Sequence, residues 1–227
     1  MGDVTSNVPL NQLPQPLDNH WHENIMSTPF SEYEEKVRDH GLLASITFLV
    51  ILPLGVLLPR YVRTFTNRWW WLHVLINMFI AGPLVFASWA RAISASNMSA
   101  PEPLDHHGII GYVILSLYIS QFVIGAFIHY IRIPSLSIIH RPLQNYFHAV
   151  LGLAILAIAG YQVHNGLYEE WEESTNNVHP VKDSLKHAWL ALLITFWALY
   201  GIGLVLLPRQ YKQEQEARLD KQDKGSL

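Results

Sequence analysis

The chain has 227 residues, half of them hydrophobic and only 15% charged, with a formal net charge of −3 and no cysteine. Without cysteine there can be no disulfide, no iron–sulfur cluster and no c-type haem, whose covalent attachment needs Cys-x-x-Cys-His. No Gly-rich nucleotide fingerprint lies outside the apolar runs, and no nucleic-acid partner is expected.

In chain order, residues 1–37 are polar, acidic and Pro-containing, and read as a solvated tail without the basic-then-apolar pattern of a cleavable signal. Five apolar runs follow, at 41–59, 69–90, 107–128, 142–163 and 188–208, and none contains Asp, Glu, Lys or Arg. A helix needs roughly 20 such residues to cross a hydrocarbon core. The expected fold is therefore all-α, an integral membrane bundle of five transmembrane helices over 38–209, surrounded by lipid. Residues 210–227 form a second polar tail.

Loop charge predicts the orientation. The first loop carries Arg60, Arg63 and Arg68, and the third carries Arg132 and Arg141, with no acid in either; the C-terminal tail adds Arg209, Lys212, Arg218, Lys221 and Lys224. The other connections hold Glu102, Asp105, Glu169, Glu170, Glu172, Glu173 and Asp183. Lys and Arg favour the cytoplasmic side, which puts the C-terminal tail in the cytoplasm and the N-terminal tail outside, in a plasma membrane or an endomembrane such as the vacuolar one. Asn97-Met98-Ser99, a glycosylation sequon, falls on the outer side in this reading.

Histidines are the main functional signal. Each of the first four runs has one near its start: His40, His73, His107 and His148. Ionisable residues inside a membrane are costly and mark function. Alternate helices run in opposite directions, so His40 and His107 share one depth and His73 and His148 another, on the order of 20 Å away. Two facing histidines at each depth form a ligand pair for one iron, and bundle interiors are where such sites are built. Gly111 and Gly152 stand four residues after His107 and His148, and Ala44 four after His40, leaving room on the same helix face; Asn77 holds that place after His73. A competing arrangement, that of respiratory-type cytochrome b subunits, has two ligands on each of two helices about 13 to 14 residues apart; His148 and His164, 16 apart, and His107 and His129, 22 apart, do not resemble it. His106 ranks behind His107 as a ligand, and Phe79, Tyr112, Tyr118 and Phe122 are candidates for the space between the layers.

Asp-His-Gly (39–41), Leu-Pro-Leu-Gly-Val (52–56), Trp-Leu-His (71–73), His-Gly-Ile-Ile-Gly (107–111) and Arg-Pro-Leu-Gln-Asn-Tyr-Phe-His-Ala-Val-Leu-Gly (141–152) resemble the core of the cytochrome b561 family, nearest to fungal members whose core often follows a DOMON domain. The resemblance covers about residues 39 to 208. It implies a four-helix di-haem core, two non-covalent b haems with bis-histidine ligation by His40/His107 and His73/His148, and transmembrane electron transfer. It also implies a small cytosolic donor such as ascorbate, an acceptor such as a ferric chelate or monodehydroascorbate, and a homodimer. Arg60 and Arg141 are the residues expected to meet an anionic donor. Five helices are expected here rather than the six of the best-known members, with no DOMON domain ahead of them and no cytoplasmic ascorbate signature. The rival reading is a haem-free transporter or receptor using its histidines as pH sensors.

Overall fold

A computed structural model describes residues 29–66, 68–99, 103–130, 137–138 and 141–225. Five helices in it are long and apolar enough to cross a membrane: α1 (Glu32–Val62), α2 (Trp69–Ser96), α3 (His106–Tyr130), α4 (Leu143–Ser174) and α5 (Asp183–Gln213). The all-α expectation holds. A two-residue antiparallel ladder, Ser137–Ile138 with Arg141–Pro142, lies between α3 and α4.

The helices outrun the apolar segments because other forces set their ends. Ser31 and Glu34 form a capping box: Ser31 Oγ accepts from the Glu34 N–H at 3.2 Å, and Glu34 Oε2 accepts from the Ser31 N–H at 2.6 Å. Helix α1 therefore begins within the stretch read as a tail. Asp105 caps α3 by accepting from the Gly108 N–H at 2.6 Å, which places His107 in the first turn. At the other end, α5 passes through a 3₁₀ turn at Leu204–Leu206 and continues as a polar helix, Leu207–Gly225, through most of the second expected tail. Three helices carry π turns, Thr47–Ile51 in α1, Leu75–Ile80 in α2 and Gly166–Glu170 in α4.

Helices α1 and α2 pack along each other, as do α3 and α4, while α5 covers α1 and α4. Leu52, Ala81, Leu156 and Phe196 form the buried core where α1, α2, α4 and α5 meet. Helix α3 leans on α4 and stands off from α1 and α2, with Ile114 its one buried residue. Val123, Phe127 and Ile109 on its far side are exposed, which costs nothing against lipid tails as apolar as they are.

Helix α5 is fastened to the basic end of α1 by polar bonds. Arg60 donates to the Tyr200 hydroxyl and lies 4.6 Å over its ring, and Tyr61 donates to the Leu199 carbonyl. Buried Gln210 donates to the Arg60 carbonyl at 2.8 Å and to Thr64 Oγ1 at 3.0 Å. Gly203 sits directly against the Arg60 side chain, where a Cβ would collide.

Candidate functional site: two facing histidine pairs

The four histidines singled out by sequence meet two by two. His40 of α1 and His107 of α3 have ring centroids 6.2 Å apart with planes at 79°; His73 of α2 and His148 of α4 are 6.3 Å apart at 72°. A metal–imidazole bond is about 2 Å, so two rings on opposite sides of one iron have centroids roughly 6 Å apart once the ring radius is added. Both pairs match that separation.

Hydrogen bonds set which nitrogen is free. His40 Nδ1 lies 2.9 Å from the Ser88 carbonyl, His73 Nδ1 2.8 Å from the Gly55 carbonyl, and His107 Nδ1 2.7 Å from Asn165 Oδ1. Each oxygen can only accept, so each Nδ1 carries the proton and each Nε2 keeps its lone pair. That is the state in which a histidine ligates a metal, its other nitrogen bonded to an outer partner. His148 differs: its Nδ1 is buried without a hydrogen-bond partner.

A second set of bonds holds the backbone beneath each ring. Ser88 donates to the His40 carbonyl at 3.1 Å, Asn77 to that of His73 at 2.7 Å, Gln162 to that of His107 at 2.6 Å and Gln121 to that of His148 at 2.7 Å. Asn77 thus serves its own helix's histidine. Gly55 leaves space for the Asn77 amide, which a Cβ would strike. The glycines four after His107 and His148 face glutamine side chains. A Cβ on Gly152 would come within 2.8 Å of Gln121, and one on Gly111 within 3.9 Å of Gln162. They admit the glutamines of the facing helix, and the rings are flanked instead by Gly125, whose Cβ would lie 3.1 Å from His148, and Gly166, 3.6 Å from His107.

None of Gln121, Gln162, Ser88, Asn165, Gly125 or Gly166 stood out as a site residue in the sequence, yet a signal was there. Helix α3 reads His107-x₃-Gly111-x₉-Gln121-x₃-Gly125, and α4 repeats it as His148-x₃-Gly152-x₉-Gln162-x₃-Gly166. In antiparallel helices the two copies serve each other: each glutamine bonds the other's histidine carbonyl, and each second glycine faces the other's ring. Helices α1 and α2 are reciprocal in the same way, because Gly55 and Ser88 stand fifteen residues after His40 and His73.

The remaining candidates are placed elsewhere. His106 is exposed. His129 stacks on Trp70 at 3.8 Å, and His164 stacks on Tyr168 at 4.3 Å. His179 is buried between Phe30 and Trp171, with Glu34 3.9 Å away. Tyr118 donates to the Asn77 carbonyl at 2.7 Å, and Phe79, Tyr112 and Phe122 are exposed. Arg60 is turned onto α5, as described. The Arg141 side chain, Arg132, His140, His20 and His22 lie outside the described residues.

Among the described residues no three acidic or histidine side chains gather to hold a bare metal ion. A haem iron needs only two protein ligands, since the porphyrin supplies four. Paired Nε2 lone pairs, glycine-flanked rings and the stand-off of α3 from α1 and α2 together fit that group.

No solved structure matches the chain. A cytochrome b561 and DOMON domain-containing protein of Arabidopsis thaliana is 27% identical over 133 residues, 56% of this chain and 31% of that protein. A second from the same plant is 22% identical over 161 residues, 70% of this chain and 36% of the relative. The chain thus spans about a third of the length of these relatives. Residues 39–173, more than half of the chain, match the family model of eukaryotic cytochrome b561 and contain all four paired histidines, and the chain belongs to that family.

Proposed function

We propose that the chain carries electrons across the bilayer between two b haems, one held by His73 and His148 and the other by His40 and His107. The carrying observation is the pair of facing imidazoles at each end, three of the four with Nδ1 already bonded and Nε2 left to ligate. Haem supplies a one-electron iron couple. The protein's part is to fix the ligands, exclude water and set the field around each site.

Electrons enter in this reading at the basic, cytoplasmic end and leave at the acidic, outer end. Arg60, at the basic end of α1 and turned onto α5, and Arg141, between α3 and α4, add to a positive field that draws an anionic donor such as ascorbate; the acceptor outside is a ferric chelate or monodehydroascorbate. A membrane-buried carboxylate, which a proton-coupled transporter would use, is absent from the five apolar runs, and this favours the redox reading over the haem-free one. Purified protein should be red, with a low-spin b-haem difference spectrum and two haems per chain by pyridine haemochrome. A colourless protein made under haem-replete conditions would falsify the proposal.

A further inference from the structure

The duplicated frame of α3 and α4 is broken at one place that matters to its histidines. His107 Nδ1–H donates to Asn165 Oδ1 at 2.7 Å, and Asn165, only 3% exposed, passes its own Nδ2–H to Glu169 Oε2. A carboxylate oxygen only accepts, so Glu169 dictates that the amide turns its nitrogen outward and its oxygen to His107. Asn165 stands seventeen residues after His148. The residue seventeen after His107 is Ile124, and the counterpart of Glu169 is Ile128. Reciprocity sets Ile124 toward His148 as Asn165 is set toward His107. An alkyl side chain accepts nothing, and His148 Nδ1 is the buried ring nitrogen left without a partner.

We propose that Asn165, oriented by Glu169, holds the reduction potential of the His40/His107 site below that of the His73/His148 site. The inference rests on the haem-holding reading above. Donation from Nδ1–H makes an imidazole more basic toward its metal, which stabilises ferric iron over ferrous. His40 and His73 each donate to a backbone carbonyl, with Ser88 Oγ also 3.1 Å from His40 Nδ1 and Asn77 Nδ2 3.1 Å from His73 Nδ1; the larger difference is that between positions 165 and 124, a bond on one side and none on the other. Glu169 is exposed, and water and salt screen its charge; its role is to orient the amide rather than to act as a field at a distance. A lower potential makes the exit site the stronger reductant toward an external acceptor.

The test is a redox titration of the full-length haem-loaded protein in nanodiscs, with each component assigned by its loss in His107→Ala or His148→Ala. Asn165→Leu should raise the potential of the His107 component, shifting its reduced-to-oxidised ratio about tenfold at fixed potential, ~59 mV for one electron. Ile124→Asn should lower the His148 component by a similar factor, and Asn165→Ile with Ile124→Asn should reverse the order of the two. If Asn165→Leu fails to retain haem, Ile124→Asn decides alone. Haem retained with an unmoved potential in Ile124→Asn, or one that rises, overturns the inference while leaving the haem-holding reading intact. Protein that binds no b haem defeats that reading itself.

Discussion

Each of the four histidines has its carbonyl bonded by a polar side chain, and that shared feature explains why Ser88, Asn77, Gln121 and Gln162 sit in otherwise apolar helices. Three of the four cross between helices, where such bonds contribute about 0.6 to 2 kcal/mol each, enough together to lock ring direction; that of Asn77 lies within α2. Glycine decides the remaining space. Gly125→Leu would drive a branched side chain into the His148 ring from 3.1 Å, so the variant should lose the haem of the His73/His148 pair and retain the other. A count of one haem per chain by pyridine haemochrome, with one spectral component gone, is the expected result; two haems retained would contradict the assignment of Gly125. The histidines themselves were legible because an ionisable group in an apolar run is costly. Their partners were not, since glutamine or serine in a membrane helix carries no label until the facing helix is known. Gly111 and Gly152 illustrate the limit: i+4 spacing correctly put them on the histidine face, but only the neighbouring helix reveals that glutamine fills the room.

Spacing along the helices shows what the π turns do. Fourteen residues separate His107 from Gln121 and His148 from Gln162; fifteen separate His40 from Gly55 and His73 from Ser88, and a π turn lies within each of the longer intervals. A π turn absorbs one extra residue, so all four intervals bridge the same two layers. Deleting Val50 from Thr47–Ile51 should relax the turn to regular α-helix and keep Gly55 opposite His73, with haem content unchanged. Deleting Leu115 from α3, which has no such slack, rotates everything beyond it by about 100° and should cost the haem of the His73/His148 pair. Equal haem loss in the two deletions would refute this account. Hydropathy found the five spans because burial in lipid imposes them, but it missed their ends. Ser31-x-x-Glu34 was a readable capping box lying in the segment taken for a tail. The polar helix after α5 has no apolar pattern to betray it, and is steadied where it leaves α5 by Gln210 on α1 and farther out by i,i+4 contacts such as Lys212 with Glu216 at 4.0 Å.

At the scale of the whole molecule the two ends differ in charge, and the direction of electron flow depends on which one faces the cytoplasm. The His40/His107 end gathers Glu32, Glu34, Glu35, Asp105 and the acids from Glu169 to Asp183, whereas Arg60, Arg63, Arg68, Arg209 and Lys212 mark the His73/His148 end. The positive-inside bias acts during insertion, on short loops near the helix ends, and here every connection with a clear sign agrees. The same chain offers a clean way to test it, because it contains no cysteine and any introduced thiol is the only one. Glu35 is exposed in the first turn of α1, and Lys212, near the end of α5, has a side chain 79% exposed, so a maleimide can reach either position. In intact cells displaying the protein at the surface, an impermeant maleimide should label Glu35→Cys at once and Lys212→Cys only after permeabilisation. The opposite pattern would place the His73/His148 pair outside, turn the basic connections toward the acceptor, and reverse the path proposed for the electron.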